Sequence, residues 1–298
     1  MTLSKFAVSA LVLAGMAGAT ACAQENEAAP EPPAYSMDDV EAAPDMWRKA
    51  EPENLIVMDT SKGRIIIEML PEVAPGHAEQ FRTIASEGKW DGTVFHRVID
   101  DFMAQGGDIQ AMNGEGSGLP DLEGEFTFRA KPGDMPMNVI GPMDSATQGL
   151  YMGFPMGTQA QFLAELTGDA SVERWIPHCP GVVSTARTND PNSANSQFFL
   201  MRHQAEHLDK QYTAWGRVVD GFDVVRAIKK GPEPNGTPIS NPDVLEHAYL
   251  VSNMPEDERP EVWIQRTDTE EWTARLAEAD QNETDICDVM RVPAVVSE

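Results

Sequence analysis

From Asn54 to Val251 the chain is written in short runs of β-branched and aromatic residues, broken by glycine, proline, asparagine and aspartate. Two stretches in it carry a convincing helical period. No other feature limits the fold as much, because many short strands with so few helices suit an all-β sheet closed on itself and not alternating parallel β-α units. "NLIVMDTSKGRIIIEML", residues 54–70, reads as a hairpin whose turn falls at Ser61-Lys62-Gly63. "APGHAEQFRTIASEGK" then predicts a helix with Pro75 in its first turn, Ala78, Phe81 and Ile84 or Ala85 on one face, and Gly88 ending it. Further strands are expected at 94–99, 102–107, 181–185, 197–201 and 214–219, a second helix at 221–231, and a last strand near 244–251. No internal repeat is visible. His203 and His207 lie four apart but lack the glutamate of an H-E-x-x-H zinc motif, so they read as a loop pair without metal.

The segment before this region is of another kind. Met1–Cys22 has one early lysine (Lys5), an apolar run from Phe6 to Met16 and a small-residue end, which together read as an export signal over residues 1–23. The apolar run is too short to span a bilayer comfortably. Two processing sites fit: "ACA" before Gln24 suits ordinary cleavage, and "ATAC" resembles a lipobox in which Cys22 carries lipid. The expected location is therefore exported and periplasmic, with a membrane anchor only through Cys22. Residues 24–53 are rich in Ala, Glu, Pro and Asp and read as a linker that cannot bury enough apolar surface to order itself. In an exported protein the remaining cysteines, Cys179 and Cys287, permit a disulfide; the alternative is two unrelated buried thiols.

With 48 acidic and 22 basic residues the formal net charge is −26, which makes nucleic acid and anionic membrane surfaces poor partners. Against that background "FHRVIDDFMAQGGD" at 95–108 sets an arginine among apolar residues. It is followed in order by "GVVSTARTNDPNSANSQFFLM" at 181–201 and "HLDKQYTAWGRVVDGFDVVRAI" at 207–228. These three blocks resemble the cyclophilin family of peptidyl-prolyl cis-trans isomerases. The resemblance covers about residues 54–129 and 178–251. It implies an eight-stranded antiparallel closed barrel capped by two α-helices, with the active site on its outer face and no cofactor or metal.

The chemistry can be argued from the residues. Twisting an X-Pro bond destroys amide conjugation, at a barrier of ~18–20 kcal/mol, yet cuts no bond and moves no proton. A catalyst therefore needs a grip on the proline ring, an anchor for the neighbouring backbone, and a donor aimed at the nitrogen lone pair that appears as conjugation is lost. Arg97 supplies a permanently charged planar donor, and the resemblance gives it that role. Strand alternation sets Phe95 and Arg97 on one face and His96 and Val98 on the other. Phe102, Met103, Phe199 and Leu208 resemble the family's apolar proline pocket, and Gln105 the glutamine that bonds the substrate and orients the arginine. Ala186, Arg187, Thr188 and Gln197 resemble the groove for the residues before proline, Arg187 acting chiefly through its backbone. Gly106 and Gly107 read as places where the backbone bends or is closely approached.

Two positions depart from the cyclosporin-binding pattern: His207 stands where a tryptophan is expected and Tyr212 where a histidine is. Loss of the indole predicts weak cyclosporin binding with isomerisation intact, Tyr212 still completing the pocket. Between Asp108 and Gly181 the chain exceeds a compact member of the family, and the excess is an inserted loop region at about 131–176, rich in Met, Gly and Pro. It reads either as a lid or partner-binding surface or as an ornament packed on the barrel. The isomerase domain is thus expected over 54–254. An extension at 255–298 follows, with a short amphipathic helix on Trp272, Leu276 and Ala279 or Ala277, packing on the barrel. The expected activity is isomerisation of X-Pro bonds in folding or unfolded exported polypeptides by a monomer; a non-catalytic peptide-binding or chaperone module on the same barrel is the alternative. A hydrolase finds no support, because no Ser/His/Asp or Cys/His signature accompanies an oxyanion-type turn.

Overall fold

The structure, a computed structural model, describes residues 30–142, 145 and 147–297. The expected export signal and the start of the expected linker lie outside the described residues. In chain order the elements are α1 (Met37–Ala42), β1 (Trp47–Lys49), β2 (Leu55–Thr60), β3 (Gly63–Met69), α2 (Pro75–Ser86), β4 (Arg97–Ile99), β5 (Met103–Gly106) and α3 (Ile109–Asn113). Next come β6 (Phe128–Ala130), β7 (Asn138–Val139), β8 (Gln148–Tyr151), β9 (Phe154–Thr158) and β10 (Val172–Trp175). The chain continues through β11 (Val182–Thr185), β12 (Phe198–Met201), β13 (Ala214–Asp220), α4 (Phe222–Ala227), β14 (Leu245–Leu250), β15 (Glu261–Gln265), α5 (Glu270–Gln281) and β16 (Ala294–Ser297).

Eight strands make one antiparallel sheet in the order β14-β2-β3-β13-β11-β12-β5-β4. Its two ends meet through the bridge Val94↔Val244, reinforced by the Phe95 amide donating to the Asp243 carbonyl at 2.9 Å. Inward-facing Ile56, Met58, Ile65, Ile67, Phe198 and Leu200 form one core with Phe81 and Ile84 of α2 and Val225 of α4. The helices therefore contribute to the inner core of the sheet. Pro75 opens α2 where an amide hydrogen has no partner to lose, and Gly88, at φ +61°, follows its end.

The opposite face of this sheet is also covered. Outward-facing Leu55, Val57, Ile66, Met103, Val182, Phe199 and Met201 join a second core. Its other members include Met135, Met137, Leu150, Phe154, Met156 and Ile176 from the insertion and Val262, Ile264, Trp272, Leu276 and Ile286 from the C-terminal extension. The insertion, expected as a loop region, is instead folded with β6 into a five-stranded sheet, β6-β10-β9-β8-β7. Its glycines hid the strands: a Cβ at Gly157 would come within 2.2 Å of the Trp175 ring, so glycine there makes room for the aromatic across the pair β9–β10.

The expected linker is corrected in its second half. Residues 35–49 are ordered: β1 pairs with β15, and Tyr35, Met37, Val40, Met46 and Trp47 close over Trp263 and Val295. The apolar residues too sparse to fold alone find partners more than two hundred residues away. Arg48 on β1 locks this layer to the barrel wall by a two-pronged bond to Glu68 on β3, at 2.7 and 2.8 Å. Arg217 on β13 reaches the same carboxylate at 3.4 Å, and its burial pushes its pKa down to about 10 against the pull of Glu68. Cys179 and Cys287 are disulfide-bonded, joining the segment before β11 to the extension. On α5, Trp272, Leu276 and Ala279 are buried while Ala277 is exposed.

Candidate active site

The site grows from the short pair β4–β5, in which Arg97 stands opposite Gln105. Val98, one residue on, points into the inner core, so Arg97 points out. Phe95 does not share that outward face as simple alternation predicts. It is buried in the inner core with its ring 6.2 Å from Phe198, because regular pairing of β4 starts only at Arg97 and the backbone of Phe95 and His96 lies outside it. The aromatic beside the guanidinium is Phe102, with the charge 5.9 Å from its ring centre. The arginine is held at two further points: Nε donates to the Asn235 carbonyl at 3.1 Å, and Nη1 lies 3.4 Å from Gln105 Oε1. Gln105 in turn donates from Nε2 to Gln197 Oε1 at 2.9 Å.

Two glycines make this arrangement possible. Gly236, at φ +69°, brings its loop onto β4 so closely that a Cβ would sit 2.5 Å from the Val98 carbonyl oxygen; this contact places Asn235 beside Arg97. Gly107, at φ +76°, leaves β5 where a Cβ would meet the Phe198 ring and the Ser196 carbonyl at 2.8 Å.

Met103 and Gln105 share the outer face of β5, and Phe199, paired with Gln105 across β5–β12, lies beside them. Phe102 is fixed through its carbonyl, which accepts from the amides of Arg202 and His203. Leu208 ends a short 3-10 turn, Glu206–Leu208, and with His207 and Tyr212 forms the opposite wall. His207 lies 5.7 Å from the Phe102 ring and Tyr212 meets Phe199 edge-on at 5.9 Å. Together these residues line an open cavity of about 420 Å³, apolar at its floor and carrying Arg97 and Gln105 at its rim.

Ala186 and Arg187 border this cavity, whereas Thr188 and Gln197 line an adjoining one of about 620 Å³ that shares Gln105, Ala186 and Arg187 with it. The Arg187 side chain is fixed on the pocket wall: its guanidinium stacks 4.3 Å from the Tyr212 ring centre and donates twice to the Gln211 carbonyl. Gln211 and Asn235 were missed in the sequence. Both act through backbone carbonyls, which residue identity does not advertise. Burial lowers the pKa of His96, next to the arginine, with the Asp108 charge opposing. The arrangement can seat a small ring on apolar walls and offer a fixed cationic donor to an atom above it.

Residues 55–250 match the family model described as cyclophilin type peptidyl-prolyl cis-trans isomerase/CLD. A probable peptidyl-prolyl cis-trans isomerase of Brucella suis is 34% identical over 204 residues, covering 68% of this chain and 86% of the relative. The peptidyl-prolyl cis-trans isomerase cyp18 of Streptomyces antibioticus is 31% identical over 182 residues, covering 58% and 82%. Among solved structures, cyclophilin AquaCyp293 from Hirschia baltica superposes with a TM-score of 0.82 at 42% identity, over 89% of this chain and 98% of its own.

Proposed function

The chain belongs to the cyclophilin-type peptidyl-prolyl cis-trans isomerases, and we propose that Arg97 is the group through which it lowers the rotation barrier, acting on proline-containing segments of exported proteins. The observation that carries this reading is the guanidinium held by Asn235, Gln105 and Phe102 at the rim of the apolar cavity. A proline ring seated between Phe102, Met103, Phe199 and Leu208 leaves its amide nitrogen beneath that charge. As the bond twists, the nitrogen loses conjugation and gains a lone pair that accepts from the guanidinium; the planar ground state offers no such acceptor. The interaction is thus stronger in the transition state, which is the condition for catalysis. Gln105 keeps the arginine in place and holds the substrate backbone. Extended chain before the proline runs along Ala186, Arg187, Thr188 and Gln197 and is gripped mainly by its backbone, so many sequences qualify. No cofactor is needed, because neither electrons nor protons change hands.

Export is supported by the signal-like segment at 1–23 and by the pairing of Cys179 with Cys287, which an oxidising compartment preserves. Cell fractionation with mass determination of the mature N-terminus tests this and separates cleavage before Gln24 from lipidation at Cys22. The role of Arg97 is tested by a protease-coupled assay on a short proline peptide, in which Arg97→Ala is expected to approach the uncatalysed rate.

A further inference from the structure

Behind the proline pocket lies a hydrogen-bonded chain that the reaction does not use directly. The Ser184 hydroxyl is 2.8 Å from His178 Nε2, and His178 Nδ1 is 2.9 Å from Asp209 Oδ1. The carboxylate can only accept there, so Nδ1 carries a hydrogen and donates to Asp209, while Nε2 is left to the serine hydroxyl. Side by side these are the partners of a hydrolytic triad, but Ser184 is 0% exposed and no substrate can reach it. The chain holds something in place.

What it holds is the turn that forms one wall of the pocket. His178 uses its backbone as well as its ring: its amide donates to Asp209 Oδ1 at 2.8 Å, and its carbonyl accepts from the Ala205 amide at 3.0 Å. The turn between these two points carries His207 and Leu208, and the Leu208 carbonyl accepts from the amides of Gln211 and Tyr212. The His178 ring stacks on Phe199, the pocket floor, with centroids 6.1 Å apart, and Ser184 pairs with Phe199 across β11–β12. The insertion adds a second hold one residue beyond Asp209, where Lys210 lies 3.8 Å over the Trp175 ring and reaches Glu173 at 3.3 Å.

We propose that His178, with Ser184 and Asp209, is a positioning residue: it fixes the wall of residues 205–212 against Phe199, so that the segment leaving the insertion, through His178, sets the shape of the proline pocket. Because the wall grips the ring in ground and transition state alike, its loosening changes KM and leaves kcat.

The full chain is assayed on a short proline peptide, well below the melting temperature of every variant. Asp209→Ala, which removes both contacts to His178, is expected to raise KM about tenfold with kcat within about twofold. Asp209→Asn, whose amide oxygen still accepts, returns KM to within about threefold of wild type. An unchanged KM in Asp209→Ala, equal losses in the two variants, or a fall confined to kcat would each overturn the proposal. Since it rests on the pocket assigned above, Leu208→Ala is measured alongside. A raised KM there with none in Asp209→Ala would remove the positioning role and leave the pocket standing.

Discussion

Arg97 and Gln105 face each other across the first pair of β4–β5, with Nη1 3.4 Å from Oε1, while the other end of the Gln105 amide is spent on Gln197. The glutamine is thereby oriented before any substrate arrives, its oxygen toward the arginine. Gln105→Leu keeps the volume and removes both contacts. It is expected to lower kcat/KM about tenfold with the melting temperature nearly unchanged, since the side chain lies at the rim of an open cavity. Peptide kinetics with a parallel thermal melt check this.

In the proposed pocket His207 would offer cyclosporin a small polar ring where an indole would supply area and a donor. His207→Trp is expected to tighten cyclosporin binding about tenfold or more, a buried hydrogen bond and its packing amounting to about 1–3 kcal/mol. Fluorescence titration of wild type and variant reads the difference. Tight binding by the wild type would contradict the assignment of this wall.

The bridge between Cys179 and Cys287 spans a sequence separation of 108 residues, enclosing β11 through α5. Cross-links of that span restrict the unfolded chain strongly, so Cys179→Ser with Cys287→Ser is expected to cost about 2–5 kcal/mol of stability. Denaturant unfolding of the double variant beside the wild type gives the value.

His96 is held neutral by burial, its pKa lowered from the ordinary histidine value. The unfolded chain then binds a proton that the folded chain refuses as pH falls below about 6.5. Stability contributed by the neutral ring is therefore full above that pH and declines beneath it, at no more than about 1.4 kcal/mol per pH unit. Between pH 7 and 5 the denaturant midpoint of the wild type should decline relative to that of His96→Gln. His247, whose hydrogen bond to Asp91 raises its pKa, acts in the same window with the opposite sign, so the His96 contribution is read as the difference between wild type and variant.

The barrel, and the set of side chains gathered at the candidate site, were legible because their signals are local. Ser61-Lys62-Gly63 marks a turn between two β-rich runs, and Arg97, Phe102, Gln105, Phe199 and Leu208 stand in blocks whose spacing survives without knowledge of the fold. The covering layers were not, because their order comes from distant partners. Trp47 needs β15, and Gly149, Gly153 and Gly157 weaken the strand signals of β8 and β9 while making space for other groups. One clue was present: "LIVM" in β2 is a continuous apolar run and not an alternation, as a strand buried on both faces must be. Phe95 shows the opposite failure, since alternation was extended past the point where regular pairing begins.

The most direct test of the whole account is kcat/KM on a short proline peptide for wild type, Arg97→Lys and Arg97→Ala, with folding verified by circular dichroism. A fixed planar donor acting on the twisted amide predicts a loss of about 10²–10³ for alanine, with lysine recovering only a small part because its charge lacks the planar fork. An alanine variant that keeps activity within about twofold of wild type would contradict it.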